Sequence, residues 1–284
     1  MGGERVKDLL LTGAAGGLGE LAAKALAARG WRVFALDTNQ RKLDALGEVP
    51  GILPIRTDIT RDEDIQAAVH TVLQHTDALQ AVVNFAGISG FFSLVEGESM
   101  PAFERMMQVN MLGMARINRA FIDLVERGKG RIVNCSSSAG WTTVQPFNGA
   151  YAASKRAVEA YSDGLRRELM FVGIPVIKIQ PGPFRTGMVN GLDADFQRTL
   201  EGTTRFGPVL TRLRPLMDMT LGRAAPAEQL VPLILHAIQS PRPRRRYRKG
   251  TGLMQSLLEL VPEFAVDSMY RLLFHARGKK GREP

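Results

Sequence analysis

The stretch LLLTGAAGGLGELAAKALAARG, residues 9–30, reads as a buried strand, a glycine-rich turn and an alanine-rich helix in immediate succession. Gly13 allows the tight turn, Gly17 lets backbone approach a pyrophosphate, and Gly19 lets the helix pack close to the strand, with Leu18 carried between them. The helix start then offers free N–H groups and a partial positive charge to phosphate oxygens. A glycine loop taken alone is as readily a structural turn. The order strand, loop, helix is what points to a dinucleotide site.

Outward from this stretch, apolar runs rich in β-branched residues alternate with segments of helical period. VKDLLLTG (6–13), WRVFALD (31–37), GILPIRTD (51–58), LQAVVNFAG (79–87), GRIVNCSS (130–137) and IPVIKIQPG (174–182) read as six strands. Helices are expected around residues 17–29, 39–46, 61–75, 100–127, 150–172 and 226–239. Parallel neighbours need a crossover, so the alternation predicts an α/β fold, a Rossmann-like doubly wound parallel sheet in a single domain. The catalytic domain is expected over 1–241. Within it, 182–224 shows no clear period and, with its glycines, prolines and methionines, reads as a mobile substrate flap. Residues 242–284 read as an extension: a short basic strand, then Leu253, Leu257, Leu260 and Val261 before Pro262, and Ala265, Met269, Leu272 and Leu273 after it. That spacing predicts two short amphipathic helices.

The 284 residues are 45% hydrophobic and 23% charged, an ordinary globular composition, and no apolar run is long enough to span a bilayer. The net charge of +9 is local. RPRRRYRK (242–249) holds six positive charges, the last eight residues hold a net three, and the remainder is near neutral. No nucleic-acid-binding module signature accompanies the charge, so no nucleic-acid partner is expected. The first strand begins almost at the first residue, which leaves no room for a cleavable signal segment and predicts a cytoplasmic protein. The one cysteine, Cys135, excludes an intrachain disulfide and reads as a small buried hydrophobe inside RIVNC. His70, His75, His236 and His275 show no ligand spacing, so they read as surface residues and no metal is expected. GxSxG, Walker, HExxH and CxxC patterns are absent, which removes the hydrolase and ATPase readings.

Asp37 ends the second strand, near the offset at which a carboxylate accepts hydrogen bonds from an adenosine ribose and repels a 2′-phosphate; this favours NAD over NADP. DTNQ (37–40) also fits a helix cap with Gln40 in capping-box position, and Arg41 could attract a phosphate. In YAASKRAVEAYSDGLRREL (151–169), Tyr151 and Lys155 share a helical face. A phenol titrates at about pH 10 in water, and a neighbouring ammonium favours the phenolate that can take up a proton near neutrality. By itself such a pair is more often a solvated helix face.

Taken together, these motifs make the sequence resemble the short-chain dehydrogenase/reductase family over about residues 5–240. TGAAGGLG (12–19) is similar to that family's cofactor loop, Asp58 and Ile59 to its adenine contact, and NFAG, with Asn84 and Gly87, to its fourth-strand motif. Asn110 in VNMLG matches the active-site helix asparagine, SSSAG (136–140) the serine motif, and YAASK the tyrosine and lysine. PGPFRT, with Pro181, Phe184 and Thr186, is similar to the segment that meets the nicotinamide. The resemblance implies an oxidoreductase in which Ser137 holds the substrate oxygen and Tyr151 takes or returns the hydroxyl proton. Lys155 assists the tyrosine and binds the nicotinamide ribose, and Asn110 holds a relay water. Each position also has a plainer reading: Asn84 as a strand-end turn residue, Asn110 as a solvated helix residue, Thr186 as a loop cap.

Three features depart from the family pattern. Phe85 stands where a second asparagine is common. One extra residue separates Gly140 from Tyr151, so counting from the glycine gives Ser137 and counting back from the tyrosine gives Ser138; Ser137 follows the strand in the motif's own register. Gly16 lets the loop fit both TGxxxGxG and the TGxxGxxG of larger sugar-nucleotide-modifying relatives, and the length of the chain and NFAG favour the former.

Phe91, Phe92, Phe147, Phe184, Met188, Phe206 and Met217 predict an apolar site for a small hydrophobic alcohol or carbonyl substrate. The sequence around the tyrosine is similar to the retinol and hydroxysteroid dehydrogenase branch. The alternatives are an NADP-dependent ketoacyl-type or carbonyl reductase and, in another class, a non-catalytic dinucleotide sensor or scaffold, which has no need of the four active-site residues together. The helices at 100–127 and 150–172 are expected to pair in a homodimer or homotetramer. The C-terminal helices either pack on the protein's own surface, the favoured reading, or make a weak membrane-surface contact beside two basic clusters.

Overall fold

The computed structural model describes residues 6–274; His275 and the basic tail lie outside them. The first half of the sheet comes from β1 (Lys7–Thr12), α1 (Gly17–Ala27), β2 (Trp31–Asp37), α2 (Gln40–Gly47), β3 (Ile52–Arg56), α3 (Asp62–Leu73) and β4 (Ala81–Asn84). The second comes from α4 (Ser99–Met107), a π-helical segment (Gln108–Gly113), α5 (Met114–Arg127), β5 (Arg131–Cys135), α6 (Gly149–Leu169) and β6 (Val176–Pro181). Then follow β7 (Phe184–Arg185), α7 (Gly187–Gly202), α8 (Gly207–Gly222), β8 (Ala225–Pro226), α9 (Val231–Gln239), β9 (Arg246–Lys249), α10 (Leu253–Leu258) and α11 (Glu263–Phe274).

Seven parallel strands form one sheet in the order β3-β2-β1-β4-β5-β6-β9. The central strands carry apolar residues at successive positions because both faces are covered. On one face Leu9, Leu11, Val83 and Ile179 pack under Ala22 and Leu26 of α1 and Ile234 and Ile238 of α9. On the other, Leu10, Phe34, Val82 and Ile132 pack under Ile65 and Val72 of α3 and Ile117 and Phe121 of α5. The doubly wound Rossmann-like sheet is therefore as the sequence predicts.

Four elements differ from the sequence reading. The basic residues 246–249, assigned to an extension, form the seventh strand beside β6, with Tyr247 buried against the His236 ring at 5.8 Å; the sheet thus runs past residue 241. The helix expected over 100–127 is one continuous rod with a π turn at its middle, invisible to a 3.6-residue period. The patternless stretch 182–224 is two helices, α7 and α8, between the short paired strands β7 and β8. Finally, α11 buries Val266, with Met269 and Tyr270 partly covered, whereas Leu272 and Leu273 of the expected apolar stripe stand in solvent.

What holds the α7–α8 hairpin down is a carboxylate. Glu96, on the loop after β4, accepts from Thr203 Oγ1 at 2.5 Å, Thr204 Oγ1 at 2.9 Å and the Arg205 backbone N–H at 3.1 Å, and pairs with the Arg205 guanidinium at 3.1 Å. These bonds, Thr203's foremost, hold the Glu96 carboxyl down at about 2. A carboxyl lowered in the folded state stabilises fully above its ordinary value of 4.5 and loses that contribution as pH falls towards 2. Glu96→Gln is therefore expected to lower the melting temperature at pH 7, with the gap to the wild type narrowing as pH falls below about 4.5. Thermal unfolding at several pH values checks this; a gap that stays constant as the carboxyl titrates contradicts it.

Candidate active site

At the switch point between β1 and β4 a cleft of about 1230 Å³ opens. Gly13 has φ +68°, and a Cβ there would lie 2.5 Å from the Ala86 nitrogen, so only glycine permits the turn to pass β4. A Cβ at Gly19 would fall 2.0 Å from the Gly13 carbonyl oxygen, which fixes how closely α1 meets the loop. Across the cleft, a Cβ on Gly17 would meet Thr186 Cβ at 3.1 Å. The N-terminus of α1 has no side-chain cap, so its N–H groups are left to a ligand. A glycine cradle with uncapped amides and this elongated cleft fits a dinucleotide.

Of the residues expected to bind that cofactor, Gly13, Gly17, Leu18, Gly19, Asp37, Asp58, Ile59, Gly87 and Thr186 line the cleft. Asp37 is not the helix cap: Asn39 caps α2 by accepting from the Lys42 N–H, and Asp37 accepts from Ala15 N and Asn39 N at 3.0 Å each. The carboxylate thus braces the glycine loop. At Asp58 burial pushes the carboxyl up, but the Thr60 hydroxyl and amide and the charges of Arg61 and Arg105 outweigh it and leave it below the usual carboxylate value. Lys42 and Arg105 also line the cleft and escaped the sequence reading, since nothing in their spacing marks them; of the neighbours Arg41 and Lys42, it is Lys42 that lines the cleft.

Tyr151 and Lys155, also expected to bind the cofactor, are not among the residues that line this cleft, nor are Asn110 and Ser137; they lie behind it, and on α6 Tyr151, Lys155, Glu159 and Asp163 follow one another at four-residue intervals. Lys155 is buried; its ammonium donates to the Cys135 carbonyl at 3.1 Å and lies 5.8 Å from the centre of the Tyr151 ring. A Cβ at Gly87 would lie 3.6 Å from Lys155 Nζ and 3.2 Å from Asn110 Oδ1, so the cleft ends against those two side chains. The π turn directs Asn110 inward, fully buried. Its Oδ1 accepts from Ile88 N at 2.7 Å, and its Nδ2 donates to the Ile88 carbonyl at 2.9 Å and to Ser154 Oγ at 2.9 Å. Both amide hydrogens are spent, so Asn110 ties the loop after β4 to the residue beside Lys155.

Asn84, Pro181 and Phe184 do not line this cleft. Asn84 Nδ2 donates to Asn118 Oδ1 at 2.7 Å and Asn134 Oδ1 at 3.0 Å, the centre of a buried network that reaches Ser162 and Tyr161 of α6. Pro181 ends β6 in register with Lys249, and Phe184 is buried in the α1–α9 core. Ser137 is buried and caps a single 3₁₀ turn, accepting from Ala139 N at 3.2 Å, while Ser138 is half-buried. Cys135 is buried as expected, its thiol pushed up by that burial. His70, His75 and His236 are exposed, and no cluster suited to a metal occurs among the described residues.

Residues 7–197 match the family model described as short chain dehydrogenase. Retinol dehydrogenase 16 of Rattus norvegicus is 32% identical over 281 residues, covering 93% of this chain and 87% of the relative. Human 17-beta-hydroxysteroid dehydrogenase type 6 is 39% identical over 188 residues, 65% of this chain and 59% of its own. A solved short-chain dehydrogenase from Streptomyces avermitilis superposes with a TM-score of 0.74 at 25% identity, covering 94% of this chain and 95% of that one. The chain belongs to the short-chain dehydrogenase family. It is an oxidoreductase that acts on CH–OH groups with a nicotinamide dinucleotide, and retinol and hydroxysteroid dehydrogenases are among its relatives.

Close packing at Gly19 can be tested directly. Gly19→Ala is expected to cost about 1–3 kcal/mol and to remove nucleotide binding. Gly164→Ala in α6, where an added Cβ meets nothing within 4 Å, is expected to be neutral or to stabilise by up to about 1 kcal/mol with binding intact. Urea unfolding and NADH fluorescence titration of the two variants give the comparison; equal behaviour contradicts it.

Proposed function

We propose that this chain transfers a hydride between a hydrophobic secondary alcohol, or a related alcohol or aldehyde, and NAD, with Tyr151 moving the proton. The observation that carries the reading is the approach of Lys155 and Asn110 to Gly87, which lines the dinucleotide cleft, with the Tyr151 ring centre 5.8 Å from the Lys155 ammonium. Gly13, Gly17, Leu18, Gly19 and Thr186 would hold the pyrophosphate and nicotinamide side of the cofactor, and Asp37, Asp58 and Ile59 the adenosine side. Bound there, the nicotinamide supplies the hydride acceptor or donor.

The side chains handle the proton and the geometry. The Tyr151 phenol oxygen takes the hydroxyl proton in oxidation and returns it in reduction, and Ser137 holds the same substrate oxygen. The Lys155 ammonium, fixed by the Cys135 carbonyl, presents positive charge 5.8 Å from the centre of the Tyr151 ring and would bind the nicotinamide ribose. Asn110 acts through its bonds to Ile88 and Ser154 as a positioning residue, and a relay water would have to use the remaining lone pair of Oδ1. NAD is favoured over NADP because the Asp37 carboxylate lines the cleft at the end of β2, where it would meet the adenosine ribose and repel a 2′-phosphate; Lys42 lines the cleft too. The names of the two relatives above support a bulky apolar substrate. Phe91, Phe147, Phe196 and Phe206 support it too, with ring centres 5.2–5.4 Å apart along the chain of contacts from Phe196 through Phe91 and Phe147 to Phe206.

Self-association through α5 and α6 is part of the same reading, and Phe171, 83% exposed just beyond α6, supports it. At the C-terminus, packing of α11 on α8 favours the own-surface reading over a membrane contact. No helix among the described residues is long and apolar enough to cross a membrane.

Tyr151→Phe keeps the ring and loses the proton carrier, so turnover is expected to fall by a factor of about 10²–10⁴ with NADH affinity kept. Retention of more than a small fraction of activity would end the assignment. Ser137→Ala should lose more activity than Ser138→Ala, and the reverse ranking moves the substrate oxygen to Ser138. Asp37→Ala should weaken NAD more than NADP, on top of a loss common to both from the freed Ala15 N–H; equal weakening in paired titrations makes the carboxylate a loop brace only.

A further inference from the structure

Gly140 closes the single 3₁₀ turn, Ser138–Gly140, that Ser137 opens, and it is buried against α6. A Cβ there would lie 2.9 Å from the Lys155 carbonyl oxygen and 3.1 Å from Glu159 Cγ, so one side of the turn rests on the helix that carries Tyr151. The Gly140 amide bonds to the Ser137 carbonyl at 3.1 Å, and the Trp141 and Thr142 amides to the Ser138 carbonyl at 3.1 and 2.9 Å. Ser137 Oγ accepts from Ala139 N, which leaves its hydroxyl hydrogen to donate to a substrate oxygen. A hydroxyl used in this way is only as well aimed as the turn that holds it.

On its outer side the turn is met by β9. The Arg248 guanidinium carbon lies 3.7 Å from the centre of the Trp141 ring, and Arg248 Nε donates to Gln180 Oε1 at 2.8 Å. Gln180 and Arg248 are register partners on β6 and β9, and Gln180 Nε2 in turn donates to Glu159 Oε1 at 2.7 Å. The contacts close on themselves: Arg248 holds Gln180, Gln180 holds Glu159, Glu159 packs at Gly140, and Trp141 leads back to Arg248. Trp141 Nε1 has no hydrogen-bond partner among the described residues, so the indole is located by stacking and packing.

We infer that Arg248 is a positioning residue: it clamps the Ser137 turn between β9 and α6 and so fixes the serine hydroxyl relative to Tyr151. The inference rests on the proposed function for what Ser137 does, but not for the clamp. A guanidinium suits the role because its flat fork lies on an indole and bonds sideways to an amide at the same time, which an ammonium does not. Arg248 is itself exposed and does not line the cofactor cleft, so its loss acts through the turn and spares the dinucleotide.

The test uses the full chain with 2-decanol and NAD. Arg248→Gln is expected to lower kcat about three- to tenfold, the worth of one stacked cation and one hydrogen bond, with NADH affinity kept within about twofold. Amide exchange of residues 138–143, followed by mass spectrometry, should quicken by a similar factor while that of α1 stays unchanged. In a Ser137→Ala background Arg248→Gln should lower kcat no further, since the group it aims is gone; damage to the fold would cost the same in either background. Arg246→Gln removes the same charge from the same strand and should change neither exchange nor kcat. Unchanged exchange at 138–143 overturns the inference, as does an equal loss with and without Ser137 or an equal effect of Arg246→Gln. If no alcohol is oxidised, or Ser137→Ala costs nothing, yet exchange still quickens with Arg248→Gln alone, the clamp stands and the reaction assignment falls.

Discussion

Lys178, 6% exposed on β6, donates to Glu159 at 2.7 Å and to Asp163 at 2.9 Å, and this partly buried ion cluster sets where α6 lies on the sheet. Losing Glu159, the less exposed of the two carboxylates, would leave the buried Lys178 ammonium with only a half-exposed partner, so the register of α6 over β5 and β6 has little freedom. Glu159 and Asp163 are the next two members of the four-residue stripe that begins with Tyr151 and Lys155. Fixing the lower half of the stripe fixes the upper half, and the phenol and ammonium reach the carboxyl end of the sheet through helix geometry alone. Glu159 also accepts from Gln180, which accepts from Arg248 of β9, so the edge strand is drawn into the same cluster.

The dinucleotide cleft meets this helix through small residues and amides. Gly87 lies where β4 ends, and its missing side chain is the space in which Asn110 and Lys155 approach. Behind it, Asn84, Asn118 and Asn134 bond to one another and to Ser162 and Tyr161, joining β4, β5, α5 and α6 by polar contacts in the dry interior. Fully satisfied networks of this kind favour one arrangement over its near neighbours, because any slip leaves a buried amide unpaired. Asn84 therefore serves the site at a distance, by holding the strand end that the cofactor loop packs against.

The parts legible in the sequence were those whose signal is local. The strand runs, the glycine loop and the Tyr151–Lys155 interval each lie within a few residues, and the sheet topology followed from their alternation. The π turn at 108–113 was hidden because one inserted residue per turn barely disturbs an apolar period. α7 and α8 escaped because their stability comes from Glu96, about a hundred residues earlier, and from a Phe196 ring buried against Phe91, not from a strong apolar stripe. β9 read as a basic extension because Tyr247 is its one buried apolar residue and the inward bond of Arg248 to Gln180 has no local signal. Lys178, Asn118 and Asn134 carry no sequence signature at all; their meaning is entirely in what tertiary packing brings to them.

The central claim is direct transfer between a carbinol carbon and the cofactor beside Tyr151. The most direct measurement follows the isotope: 2-decanol deuterated at its carbinol carbon, incubated with NAD and the full chain, with the reduced cofactor recovered for mass spectrometry and proton NMR of its C4 position. The account predicts that the deuterium is carried onto the nicotinamide ring, on one face only and without dilution by solvent hydrogen. Reduced cofactor that carries solvent hydrogen in its place, or deuterium on both faces, would contradict it.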